Sequence, residues 1–138
     1  MTVSTSQKPS LPTLWRNGLI VAVIATLVNG LIFLVGSTFS FPPDAIHITG
    51  VPVTIAPIMI GTFAGGVLAT AYYTVLMHFF ERNHGNRIMW RMTILVFIVM
   101  FFSPFAIQNA PVSQILIMEG MHFVAGLPPV IALTRTAA

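Results

Sequence analysis

Glu119 and His122 are the residues of this chain whose types and spacing best suit chemistry. They stand three apart inside a long apolar run, so a helix would put them on one face within reach of each other. A carboxyl and an imidazole so placed can hydrogen-bond, pair as carboxylate and imidazolium, or pass a proton. An ionised carboxylate near the centre of a bilayer costs about 2.5 to 3.5 kcal/mol on insertion scales. Glu119 must therefore be protonated, paired or turned away from lipid. It is the one acid inside an apolar run, since Asp44 and Glu81 fall in the stretches between runs.

Depth adds partners. At a rise of about 1.5 Å per residue, His122 lies near the middle of its run and Glu119 about 5 Å to one side. Asn29 lies about 4 Å to the same side of the middle of the first run, and Thr62 reaches a similar depth in the second. Asn29, Thr62, Glu119 and His122 are thus expected to share one layer, with Asn29 reaching Glu119 or His122. Such a layer can be interhelical glue worth about 0.6 to 2 kcal/mol per group, or a proton-handling or ligand site.

Other chemistries fit less well. Glu-x-x-His is the spacing of carboxylate-bridged di-iron bundles, but those need two such motifs and two further carboxylates. The chain has three acids in all. A haem held by two histidines needs matched depths; His78 falls near one surface, His122 near the middle, and His47 and His84 in opposite loops. Cysteine is absent, which removes disulfides, thiolate metal sites and thiol redox chemistry. No phosphate-binding loop, dinucleotide fingerprint, nucleophile elbow or metalloprotease helix occurs. The expectation is no metal, no cofactor and no catalysis; a membrane-embedded acid–base enzyme would lack a visible nucleophile.

The elements that carry these residues are set by composition. The chain has 138 residues, 56% hydrophobic and 7% charged, with a mean hydropathy of +0.90. A soluble domain carries about a quarter charged residues. Four apolar runs, at residues 14–38, 53–80, 88–105 and 112–133, each reach the ~17 to 25 residues that cross a bilayer. Only helices satisfy their own backbone there, and continuous runs exclude a membrane β-barrel. The expected fold is all-α: an integral membrane four-helix bundle in a single domain, with residues 1–13 a disordered tail. The first run is too long for a signal peptide and lacks a cleavage site.

Lys8, Arg16, Arg82, Arg87, Arg91 and Arg135 all fall on one side of this map. By the positive-inside rule, both termini and the 81–91 hairpin are cytoplasmic. The net charge of +3 is spread over three short segments, which suits topology and anionic lipid rather than nucleic acid. Residues 39–52 read as the outer loop, in which Asp44 and His47 are solvated. Ser103 and Pro104 should end or kink the third span, Gln108, Asn109 and Pro111 should make a short outer turn, and Pro128–Pro129 should bend the fourth span.

Small residues predict the packing. Gly18, Ala22, Ala25, Asn29 and Gly36 make one stripe on the first span. Gly61, Gly65 and Ala69 form a small-xxx-small row on the second, expected to be the tightest seam, with Thr62, Gly66 and Tyr73 in a neighbouring row. Gly126 gives a further close approach on the fourth. The eight methionines and eleven phenylalanines read as packing or lipid-facing residues.

Leu14-Trp15-Arg16-Asn17-Gly18-Leu19, Asn29, Phe41-Pro42, Ser103-Pro104, Met121-His122-Phe123-Val124-Ala125-Gly126 and Pro129-Val130-Ile131-Ala132-Leu133 recur together in one group of bacterial proteins. The chain resembles the small four-span membrane proteins grouped as domain of unknown function 6069, over nearly its whole length. The resemblance implies the four-span architecture; the expected location is the plasma (inner) membrane. It brings no reaction, so no catalytic residue carries over. The functional expectation is an accessory or structural subunit, or a scaffold, whose partners are the lipid bilayer and other membrane subunits or copies of itself, met through small-residue helix faces. The alternative is an oligomeric transporter or channel component with a proton or cation site at Glu119 and His122.

Overall fold

Each apolar run becomes a helix. The computed structural model describes residues 9–39, 46–47, 53–108 and 110–136. Among them are four α-helices: α1 (Leu11–Ser37), α2 (Ile55–Phe79), α3 (Arg82–Phe101) and α4 (Val112–Arg135). They form an all-α bundle. The apolar stretch of α3 continues through a short 3-10 turn, Pro104–Ala106, so that all four helical stretches are long and apolar enough to cross a membrane.

The helix ends refine the expected spans. The Ser10 side chain caps α1 by accepting from the Thr13 amide at 3.4 Å, and Pro12 sits in the first turn, where its missing N–H costs nothing. Residues 11–13, expected in a disordered tail, are therefore helical; residues 1–8 lie outside the described residues. At the other end of α1 the Ser37 and Thr38 hydroxyls donate to the Leu34 and Val35 carbonyls at 2.8 and 2.7 Å, satisfying acceptors that a helix end leaves free. α3 starts at Arg82, six residues before the expected span, so most of the expected 81–91 loop is helix. Hydropathy marks only the hydrocarbon-crossing part of a helix, which can continue into the headgroup region. The α2–α3 connection is reduced to Phe80 and Glu81. Gly85 is buried against α2 at this return, where the Met77 methyl group fills the place that a Cβ would take.

Two connections meet at the opposite end. β1 (Ile46–His47) pairs antiparallel with β2 (Ile107–Gln108), Ile46 opposite Gln108 and His47 opposite Ile107. The α1–α2 and α3–α4 connections are thereby held together. Of the expected outer loop, Asp44 lies outside the described residues, as does Asn109 of the expected turn. Pro128 and Pro129 lie within α4, which runs on to Arg135.

α1 is the centre of the bundle, packed along α2 and α4, while α3 touches α2 and α4 more lightly. The main apolar cluster sits toward the end bearing the α2–α3 turn, hereafter the basic end: Leu14, Tyr73, Leu76, Met77, Met89, Val130 and Leu133. Outward faces are apolar too; Leu27, Leu31, Leu68, Ile98 and Val99 are all largely exposed. On a soluble monomer such a surface would be an aggregation site.

The closest seam joins α1 to α2. A Cβ on Gly66 would lie 2.6 Å from the Ala22 Cβ, and one on Gly18 would collide with the Thr70 side chain. Gly61 and Gly65, by contrast, have nothing within 4 Å of an added Cβ. The tightest seam therefore runs through Gly66, not through the expected Gly61–Gly65–Ala69 row. Rows of small residues lie side by side on α2, and spacing alone does not say which one meets Ala22. Ala69 is half-buried against the core cluster, and Gly126 receives the Phe97 ring of α3, whose tip would lie 2.7 Å from an added Cβ.

Candidate functional site

Asn29 is the hub of the polar layer. It stands on the small-residue stripe of α1, which buries Gly18, Ala22, Ala25, Asn29 and Gly36. Its side chain is drawn into the bundle and is 1% exposed. Its Nδ2 donates to Thr62 Oγ1 of α2 at 3.0 Å and to the Met121 carbonyl of α4 at 3.0 Å. One amide thus ties three helices at one depth. Thr62 in turn donates to the Ile58 carbonyl at 2.8 Å. The other Asn29 polar atom, Oδ1, is buried without a partner among the described residues.

Glu119 and His122 enter this layer differently from the expectation. Asn29 bonds to the backbone of Met121, which lies between them in sequence, and neither side chain receives its hydrogen bond. A carbonyl facing α1 at the right depth competes for the same N–H, and backbone acceptors carry no signal in side-chain spacing. His122 Nδ1 and Glu119 Oε2 are 3.8 Å apart, too long for a hydrogen bond. Both side chains are mostly buried, at 16% and 14% exposed. Glu119 Oε1 and His122 Nδ1 have no hydrogen-bond partner among the described residues. The pair is an ion pair only when the imidazole is protonated. It offers two metal donors on one helix, and among the described residues no group of three His, Cys, Asp or Glu side chains gathers.

A second polar layer, at the basic end, went unrecognised in the sequence. Tyr73 of α2 hydrogen-bonds Asn86 of α3, and Asn86 Nδ2 donates to the Thr134 carbonyl at 3.4 Å. Arg82 Nη2 donates to the Thr136 carbonyl at 2.9 Å, and Asn17 Nδ2 of α1 to Thr136 Oγ1 at 3.2 Å. Asn86 and Arg82 thereby occupy carbonyls at the end of α4 that no helix satisfies internally, and Asn17 holds the Thr136 hydroxyl. The available signal was polar residues at matched depth: Asn17 one turn into α1, and Asn86 in a segment read as loop. Four buried threonine hydroxyls turn on their own backbone. Thr26, Thr70, Thr93 and Thr134 each donate to the carbonyl four residues earlier, at 2.7 to 2.9 Å, which removes the cost of an unpaired hydroxyl away from water.

An all-α bundle of four helices, each long and apolar enough to span a membrane and joined at mid-depth by one buried asparagine, is the class of protein that fold and site define. Residues 9–138 match the family described as "Family of unknown function (DUF6069)", and the chain belongs to that family. The resemblance drawn from the sequence motifs and this match agree. No curated protein and no solved structure matches the chain.

Proposed function

We propose that the protein is a small integral membrane protein without catalytic activity, an accessory or structural subunit or scaffold acting within the bilayer of the plasma (inner) membrane. The observation that carries this reading is the division of its side chains. Polar side chains tie helix to helix in the Asn29 layer and at the basic end, while outward faces carry large apolar side chains. A body built this way meets its partners in lipid, where small-residue faces and shape decide association. Gentle-detergent purification followed by native mass spectrometry tests it. The protein is expected to emerge with another membrane subunit or as several copies; a bare monomer from every gentle detergent counts against it.

Both termini and the α2–α3 turn are proposed to face the cytoplasm. Arg16, Arg87, Arg91 and Arg135 are exposed at the basic end, where the positive-inside rule favours the side of synthesis. Reporter fusions after Arg87 and at the C-terminus should both read cytoplasmic, and an external signal from either overturns the topology.

A second reading is an oligomeric transporter or channel component using Glu119 and His122. The specific observation in its favour is that both are mostly buried midway along α4 with unpartnered polar atoms, as intramembrane proton and cation sites are. In reconstituted vesicles, Glu119→Gln should abolish pH-driven flux while leaving the fold intact. Equal flux in the wild type and the variant rules this reading out.

A further inference from the structure

A cleft of about 570 Å³ opens between α2, α3 and α4. It exists because Gly61 and Gly65 project no side chains into it: an atom added at either Cβ position meets nothing within 4 Å. Its volume falls within the range of about 300 to 1,000 Å³ typical of small-molecule sites. Met89, Met92, Met100, Met118 and Met121 line it, five of the eight methionines in the chain. Flexible, polarisable thioethers adapt to irregular apolar shapes.

Lipid tails alone do not suit this cleft. Asn29 and Thr62 line it, and so does His122. Asn29 is almost wholly buried, with an unpartnered Oδ1. The His122 ring holds Nδ1 3.8 Å from Glu119 Oε2, and that nitrogen is buried without a hydrogen bond among the described residues. An amide oxygen asks for a donor and an imidazole nitrogen for a polar partner; acyl chains supply neither. A phospholipid headgroup does not reach this depth either, because His122 lies about 15 to 20 Å of helix from either end of α4.

We propose that the cleft is a binding site for one uncharged lipophilic molecule bearing a hydroxyl group, its hydrocarbon body along the methionines and its hydroxyl in the Asn29–His122 layer. This goes beyond the accessory-subunit reading and is independent of it, since a subunit of either kind can carry or lack a bound lipophile.

The test uses hexadecanol carrying a photoreactive diazirine, added to the protein in phosphatidylcholine nanodiscs, with hexadecane carrying the same group as control. Labelling by the alcohol should saturate at one probe per chain, map to cleft residues such as Met92 and Met118, and be competed by plain hexadecanol but not by hexadecane. Gly65→Leu, whose side chain enters the cleft, should abolish labelling without lowering the melting temperature. His122→Leu should weaken alcohol binding roughly tenfold, the worth of about one hydrogen bond, and leave alkane labelling unchanged. Equal labelling by alcohol and alkane overturns the proposal. So does labelling spread over Ile94 and Ile98 on the outer face of α3, or a photocross-linked dimer that excludes the probe. Should Gly65→Leu prove unstable, the comparison of alcohol with alkane on the unaltered protein decides.

Discussion

Asn29 and Gln114 are both buried amides, and the structure treats them in opposite ways. Asn29 spends both amide hydrogens on other helices. Gln114 is fully buried in the first turn of α4, with neither amide atom partnered among the described residues. Asn29→Ala should therefore destabilise the bundle by about 1 to 3 kcal/mol, combining two lost interhelical bonds and a small cavity. Gln114→Leu should raise stability by about 1 to 2 kcal/mol, because it removes two polar groups held from water without compensation. Unfolding in mixed micelles by a denaturing detergent measures both. Loss of stability at Gln114 would mean that its amide has a partner in the membrane-embedded state. At this scale the sequence revealed the depth of Asn29 and Thr62 but not the acceptor on α4. Depth follows from counting residues, whereas the choice between a side chain and the Met121 carbonyl depends on how α4 is rotated, which no spacing encodes.

Helix faces decide what substitutions do on α2. Gly66→Val should disrupt the α1–α2 seam, because its added carbon would press on Ala22, including the backbone; a cost of about 1 to 3 kcal/mol is expected from overpacking. Gly61→Val, five residues away, should cost less than about 0.5 kcal/mol, because its side chain enters open space. Thermal unfolding in detergent separates the two, and equal effects would mean that α2 is rotated from the orientation described. The four spans were readable because hydrocarbon thickness imposes a length and forbids charge, a constraint local to each run. The seam was not, because Gly61-Gly65-Ala69 and the row containing Gly66 have nearly the same composition. The early start of α3 was hidden by polar residues 82–87, which hydropathy does not count as part of a span although they are helical. The β1–β2 pair spans only two residues on each side, and nothing in either segment alone calls for pairing.

For the whole molecule, the first and last helices depend on each other. α1 lies against α4 along the bundle, Asn29 needs the Met121 carbonyl, and Asn17 and Arg82 need Thr136. Helices α1 to α3 leave the ribosome before their acceptors on α4 exist. During that interval Asn29 would have Thr62 of α2 for one amide hydrogen and nothing on α4 for the other, and the glycine stripe of α1 would have only α2 to cover it. A chain halted before residue 112 should be recognised as unfinished and degraded; pulse-chase half-lives of the truncated and full chains measure this, and supplying residues 109–138 as a separate segment should lengthen the survival of the fragment. A short-lived truncated chain would make the buried asparagine a timer on assembly as well as a tie between helices, the first segment waiting on the last for its partner.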